Sequence, residues 1–214
     1  MNNKGILLAA VVLTLAFAAL PATASAGTPQ THCNSGATCA FTLTSPMVTW
    51  STSSGFTFSC TKMAGSGTLG TSGGSIKIEF QGCKEPVFGT ACLVPTIEAT
   101  YDNTYVTDAK TAPGMLITGP AGEVWGAAGC QGLFASETKG NGLIGRLESP
   151  ACGVSANNYL LAFETTAHGQ QKYKKVTETG TQYDLRVEGL QPATTGLAGT
   201  ATINIPAGAT LTCV

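Results

Sequence analysis

The sequence predicts an all-β protein, an antiparallel β-sandwich or partly closed barrel, braced by disulfides. Three observations carry this expectation. Short apolar runs alternate strictly with polar residues, the period of a strand that buries one face. Glycine, serine, asparagine and proline separate those runs as turns. No segment beyond the N-terminal leader carries a helical period.

The leader comes first. Lys4 supplies a positive charge, residues 5–20 form an uncharged apolar run, and Ala24-Ser25-Ala26 is a small-x-small cleavage site. Residues 1–26 therefore read as a secretory signal peptide. The run falls short of the ~20 apolar residues a spanning helix needs, and Pro21 follows it. No cysteine stands at the cleavage point to carry a lipid. No second apolar stretch of spanning length occurs, so no membrane span is expected after cleavage. Residues 27–38 are expected to form a loose N-terminal arm, and residues 39–214 a single β domain.

Within that domain the strands follow in order. Phe41 and Leu43 alternate with Thr42 and Thr44, and Phe56 and Phe58 with Thr57 and Ser59. Ile76, Ile78 and Phe80 alternate with Ser75, Lys77, Glu79 and Gln81. Tyr183, Leu185 and Val187 alternate with Asp184, Arg186 and Glu188, and Ala201, Ile203 and Ile205 with Thr202 and Asn204. Less regular strands are expected at residues 48–51, 96–101, 132–138, 143–147, 159–165 and 210–214. Such one-sided strands indicate antiparallel sheets around a shared core. The many threonines suit a pleated surface while adding no charge.

Composition excludes several classes. Charged residues are 11% of 214, with 11 Lys and Arg against 12 Asp and Glu and a formal net charge of −1. That balance rules out a disordered polyelectrolyte and leaves no broad basic surface for nucleic acid.

All eight cysteines, Cys33, Cys39, Cys60, Cys83, Cys92, Cys130, Cys152 and Cys213, lie after the leader, and in an oxidising compartment they imply four disulfides. Cys39 and Cys60 share the parity of their strands' apolar residues, as does Cys213 with Leu211. Those three face the core, which allows a bridge between the first and last strands. Cys33–Cys39, Cys83–Cys92 and Cys130–Cys152 would then be local closures, one pairing among many.

The chemistry-bearing motifs are weak. Gly70-Thr71-Ser72-Gly73-Gly74 satisfies the G-x-S-x-G pattern, but a nucleophile elbow needs a strand before the serine and a helix after it. Here a strand follows, and a hairpin turn is the plainer reading. A Ser72, Asp102 or Asp108, His168 order could be drawn, yet no Asp or Glu separates Cys33 from Thr71, where a His-Asp-Ser order would need one. His32 and His168 sit in no compact ligand motif, and no metal or other cofactor is expected. Glu79, Glu98, Glu123 and Glu164 offer carboxylates without singling out a pair. Lys172-Tyr173-Lys174-Lys175 is the basic cluster, read either as the exposed end of a hairpin or as a contact for an anionic wall polymer. Trp125 could stack on sugars. Trp50 shares parity with Val48 and is expected in the core.

Phe80-Gln81-Gly82-Cys83 with Cys92 downstream, Gly129-Cys130-Gln131-Gly132, Gly142-Leu143-Ile144-Gly145 and Gly169-Gln170-Gln171-Lys172-Tyr173 resemble a loose group of secreted, uncharacterised, cysteine-containing, β-rich actinobacterial proteins. The resemblance spans residues 58–188 and implies a secreted β-rich fold without transferring a catalytic residue. Gln131 interrupts a Cys-Gly-Gly common in that group, and Cys152 is additional, so the group's cysteine pairing does not carry over.

These readings converge on a secreted, non-enzymatic extracellular or cell-surface structural or interaction protein. Its candidate contacts are Lys172, Tyr173, Lys174, Lys175 and Trp125, and its expected partners a cell-wall polymer or further copies of itself. The alternatives are a polysaccharide- or cell-wall-binding module and a secreted hydrolase.

Overall fold

The structure, a computed structural model, describes residues 28–94, 96–107, 111–119, 124–126, 133–135, 142–176, 185–188 and 193–213. The expected signal peptide, Asp108, Glu123 and Cys130 lie outside the described residues. In chain order the strands are β1 (Gln30–Cys33), β2 (Cys39–Ser45), β3 (Val48–Thr52), β4 (Thr57–Cys60), β5 (Lys62–Leu69), β6 (Gly73–Gln81), β7 (Ile97–Thr107), β8 (Thr111–Thr118), β9 (Val124–Gly126), β10 (Leu133–Ala135), β11 (Leu143–Ser149), β12 (Ser155–Phe163), β13 (Lys174–Lys175), β14 (Leu185–Glu188) and β15 (Ala193–Thr212).

Of the two architectures left open by the sequence, the chain adopts the barrel, and it closes fully. Eight antiparallel strands follow the order β2-β5-β6-β7-β8-β11-β12-β15, and β15 returns to pair with β2 through Ile203↔Leu43. An eight-stranded barrel has an interior just wide enough to be filled by side chains. Phe41, Leu43, Ile76, Ile78, Ile117 and Leu161 fill it here, each at most 2% exposed. The alternation read in the sequence is the alternation of this wall: β2 and β6 bury every second residue. The outward positions of β5 to β7 carry Lys62, Ser66, Thr68, Lys77, Glu98 and Thr100. A polar outside around an apolar inside is the reverse of a transmembrane barrel. No helix among the described residues is long and apolar enough to cross a membrane.

Insertions between barrel strands build a second sheet. β3 and β4 interrupt the path from β2 to β5, β9 and β10 that from β8 to β11, and β14 precedes β15. They join as β4-β3-β15-β14-β10-β9 on the first part of the 20-residue β15. Trp50 on β3 is 1% exposed, stacked on Phe58 at 6.0 Å and edge-on to Phe80 at 5.4 Å, as its parity predicted. β15 is therefore shared between barrel and insertion sheet.

The arm expected to be loose is in part a strand. β1 pairs with the end of β15 from Gln30↔Thr212 to Cys33↔Ala209. Thr31 donates its N–H to the Thr71 carbonyl at 2.9 Å, and the buried Asn103 amide donates to the Thr31 hydroxyl at 3.0 Å. These bonds fasten β1 across one end of the barrel.

Three disulfides join described cysteines: Cys33–Cys39, Cys60–Cys83 and Cys152–Cys213. Cys92 is also disulfide-bonded. The first matches the expected local closure. The expected Cys83–Cys92 and Cys130–Cys152 closures are corrected, as is the bridge between the first and last strands. Ser59 and Lys84 exchange both backbone hydrogen bonds, 2.8 and 3.0 Å, which brings Cys83 beside Cys60 at the end of β4. Gly153 donates to the Leu211 carbonyl at 2.7 Å, which sets the β11–β12 turn and Cys152 beside Cys213. Multiple disulfides fit folding in an oxidising compartment.

Candidate functional site

The basic run predicted as a binding patch is the return limb of a hairpin strapped to the barrel wall. Thr165 bridges Gln171 around a turn in which Gly169 donates to the Thr166 carbonyl at 3.0 Å. The buried Gln171 amide donates to the Leu197 carbonyl at 3.2 Å, and Lys174 and Lys175 pair with Thr107 and Val106 of β7. Tyr173 between them is fully buried in an outer cluster with Val106, Leu116 and Ile144. Its hydroxyl donates to Glu164 Oε1 at 2.5 Å, and the Arg146 guanidinium lies 5.1 Å from its ring centroid.

Glu164 is the electrostatic centre of this strap. Lys172 Nζ lies 2.5 Å from Glu164 Oε2, and Arg146 bridges Glu148 at 2.7 Å and Glu164 at 3.8 Å. The hydrogen bond from Lys172, then that from Tyr173, holds the Glu164 carboxyl below its ordinary range. Burial, reinforced by the Glu164 carboxylate, pushes the Tyr173 phenol up. Tyr173, one of the expected ligand contacts, has its ring taken up in packing. Lys172 is engaged with Glu164, Lys174 is exposed and Lys175 half-buried. Trp125 lies on β9, and its side chain is outside the described residues.

The other motifs fall apart in space or into turns. Gly70 donates to the Gly73 carbonyl at 2.9 Å, closing the β5–β6 hairpin turn, and Gly74 already pairs with Leu69 in the ladder. The Ser72 carbonyl is taken by the Asn103 N–H at 2.7 Å. His32 is exposed on β1, and His168 is exposed in the strap turn. Lys77 and Glu98 face each other at 3.7 Å on the open outer wall. Among the described residues no group of three or more His, Cys, Asp or Glu could hold a metal ion.

A feature that the sequence reading passed over projects from the insertion side of β6. Between Cys83 and Cys92 the chain forms a single closed turn, Glu85-Pro86-Val87-Phe88-Gly89. The Glu85 carboxylate accepts the N–H of Val87 at 2.8 Å and of Phe88 at 2.7 Å. Gly89 donates to the Glu85 carbonyl at 3.0 Å, with φ +66°, a conformation that glycine adopts without a steric penalty. A carboxylate cap, proline at the first position and glycine at the end are the ordinary signals of a helical turn. At the base of the turn Glu85 donates its own N–H to the Thr90 carbonyl at 3.0 Å, and Cys92 donates its N–H to the Cys83 carbonyl at 2.9 Å.

The outcome is a knob whose N–H groups at Val87, Phe88 and Gly89 are satisfied internally and whose apolar side chains point to water. Val87 is 75% exposed, Phe88 86% and Leu93 73%. Single exposed apolar residues are commonplace, whereas these three fall within seven positions on a braced loop. The legible signal was the Cys83 to Cys92 frame around a proline-glycine turn with a valine and a phenylalanine inside it.

No protein-family model, curated protein or solved structure matches the chain.

Proposed function

We propose that the chain is exported by its N-terminal signal peptide and acts outside the cytoplasm as a non-enzymatic interaction module, with the Glu85 to Leu93 knob as its contact element. The observation that carries the reading is the 86% exposure of Phe88 on a turn fixed by a carboxylate cap and by the Cys60–Cys83 disulfide. A braced turn loses little conformational freedom on docking. Burying Val87 and Phe88 would contribute roughly 3–6 kcal/mol. The recesses among the described residues support a scaffold rather than a reaction vessel. The one inside the barrel, lined by Met115, Leu147, Tyr159 and Ile203, measures about 20 Å³. The open troughs of about 480 and 190 Å³ lie on the outer wall beside Ser66 and Lys77.

The test is cosedimentation of the mature protein with envelopes of the producing cells, compared with a Val87→Ser, Phe88→Ser variant. Retention of the wild type and release of the variant supports the reading. Equal partition of the two overturns it.

A further inference from the structure

We propose that the knob docks on an anionic lipid surface, inserting Val87, Phe88 and Leu93 at the headgroup boundary. This rests on the interaction-module reading and names the partner of the same site. Four observations lead to it. The side chains of the turn, Val87 and Phe88, are apolar and 75% and 86% exposed, and Leu93 just past Cys92 is 73% exposed, so the loop offers hydrophobic area. The N–H groups of Val87, Phe88 and Gly89 are all taken by Glu85, at 2.8, 2.7 and 3.0 Å. Donors satisfied in this way need not be stripped of water, which lowers the cost of placing an irregular turn at a lipid interface. The charges flanking the knob are cationic: Lys84, exposed, immediately precedes the turn, and Lys62, also exposed, stands two residues beyond Cys60, which anchors it. The acid within the turn, Glu85, is folded back onto its own backbone.

The alternatives are less well matched to these features. A second copy of the chain would need a receptor for Phe88. Among the described residues the apolar recess inside the barrel is about 20 Å³, and the trough of about 480 Å³ is an open stretch of outer wall where Ile76 and Ala99 lie among Ser66, Lys77, Glu98 and Thr100, with no enclosed slot for a ring. A sugar polymer would be read by an aromatic face flanked by hydrogen-bonding side chains. Phe88 is flanked by Val87 and Gly89. An apolar wedge with a basic collar fits a medium that is apolar within and anionic at its surface.

The experiment is sedimentation of the mature, disulfide-intact protein with vesicles of phosphatidylcholine alone and of phosphatidylcholine mixed with phosphatidylglycerol. Binding is expected to the anionic vesicles and to fall when salt is raised. Phe88→Ser should weaken it at least about ten-fold, and Lys84→Ala about five-fold. A Phe88→Trp, Trp125→Phe variant should show a blue-shifted emission on the anionic vesicles, and Trp50, already buried, should not interfere. Failure of the wild type to bind either vesicle, or binding unchanged by Phe88→Ser, overturns the inference. If envelope retention still depends on the knob while vesicles bind nothing, the lipid inference falls and the interaction module stands with a protein or polymer partner. If envelope retention is also indifferent to the knob, both fall.

Discussion

Replacing Gly67 by alanine tests the packing of the barrel wall directly. Gly67 lies on β5 opposite Phe41 of β2, in an inward series of Met63, Gly65, Gly67 and Leu69. A Cβ there would stand 2.1 Å from the Ser75 carbonyl oxygen and 2.8 and 2.9 Å from two carbons of the Phe41 ring. The ring could tilt, but the carbonyl belongs to β6 and can retreat only by loosening the β5–β6 ladder. Overpacking costs typically about 1–3 kcal/mol, and a backbone obstacle puts this case near ~3. Stiffening of the unfolded chain by alanine returns about 0.4–1 kcal/mol. The net loss of about 2 kcal/mol corresponds to a fall in Tm of roughly 4–8 °C for a domain of this size. Thermal melts followed by circular dichroism under non-reducing conditions read it. Adding Phe41→Leu should restore little, because the carbonyl clash remains. A Gly67→Ala protein melting within about 1 °C of the wild type, or above it, would refute the reasoning.

Two further outcomes follow from the strap and the bridges. The Glu164 carboxyl titrates below its unfolded value of 4.5, so its contribution is complete above that pH and is lost as pH falls through the folded value. The stability gap between wild type and Glu164→Gln, measured by melts between neutral and acid pH, should therefore be widest near neutrality and close on acidification. It should not close on raising pH. Removing Cys152–Cys213, which spans 61 residues, should cost about 4 kcal/mol against about 2 for Cys33–Cys39, which spans 6, by denaturant titration of the paired Cys→Ser variants.

Most strands with a clear alternation were legible, and two that were not, β8 and β5, lack it for reasons visible in particular residues. β8 reads as Met115-Leu116-Ile117, all buried. Met115 and Ile117 enter the barrel while Leu116 lies under the strap with Tyr173, so both faces are covered and the period disappears. β5 was missed for the opposite reason. Gly65 and Gly67 leave its inward face empty because the neighbouring strands' atoms already occupy that space. The knob was overlooked because its signal is one of exposure, and exposure is not a local property. Val87 and Phe88 look like any apolar pair in a sequence.

The sequence by itself determined the all-β class, most strand positions, the cysteine count and the burial of Trp50, because these depend on residue type and near-neighbour spacing. Only the tertiary structure decided barrel closure, the pairing of Cys60 with Cys83 and Cys152 with Cys213, the burial of Tyr173 and the exposure of Phe88. Each of these depends on which distant segments meet. Closure needs β15 to reach both β2 and β12, strands separated from each other by over a hundred residues of chain. Alternation specifies that a strand has an inside, and contact with a particular neighbour specifies what that inside faces.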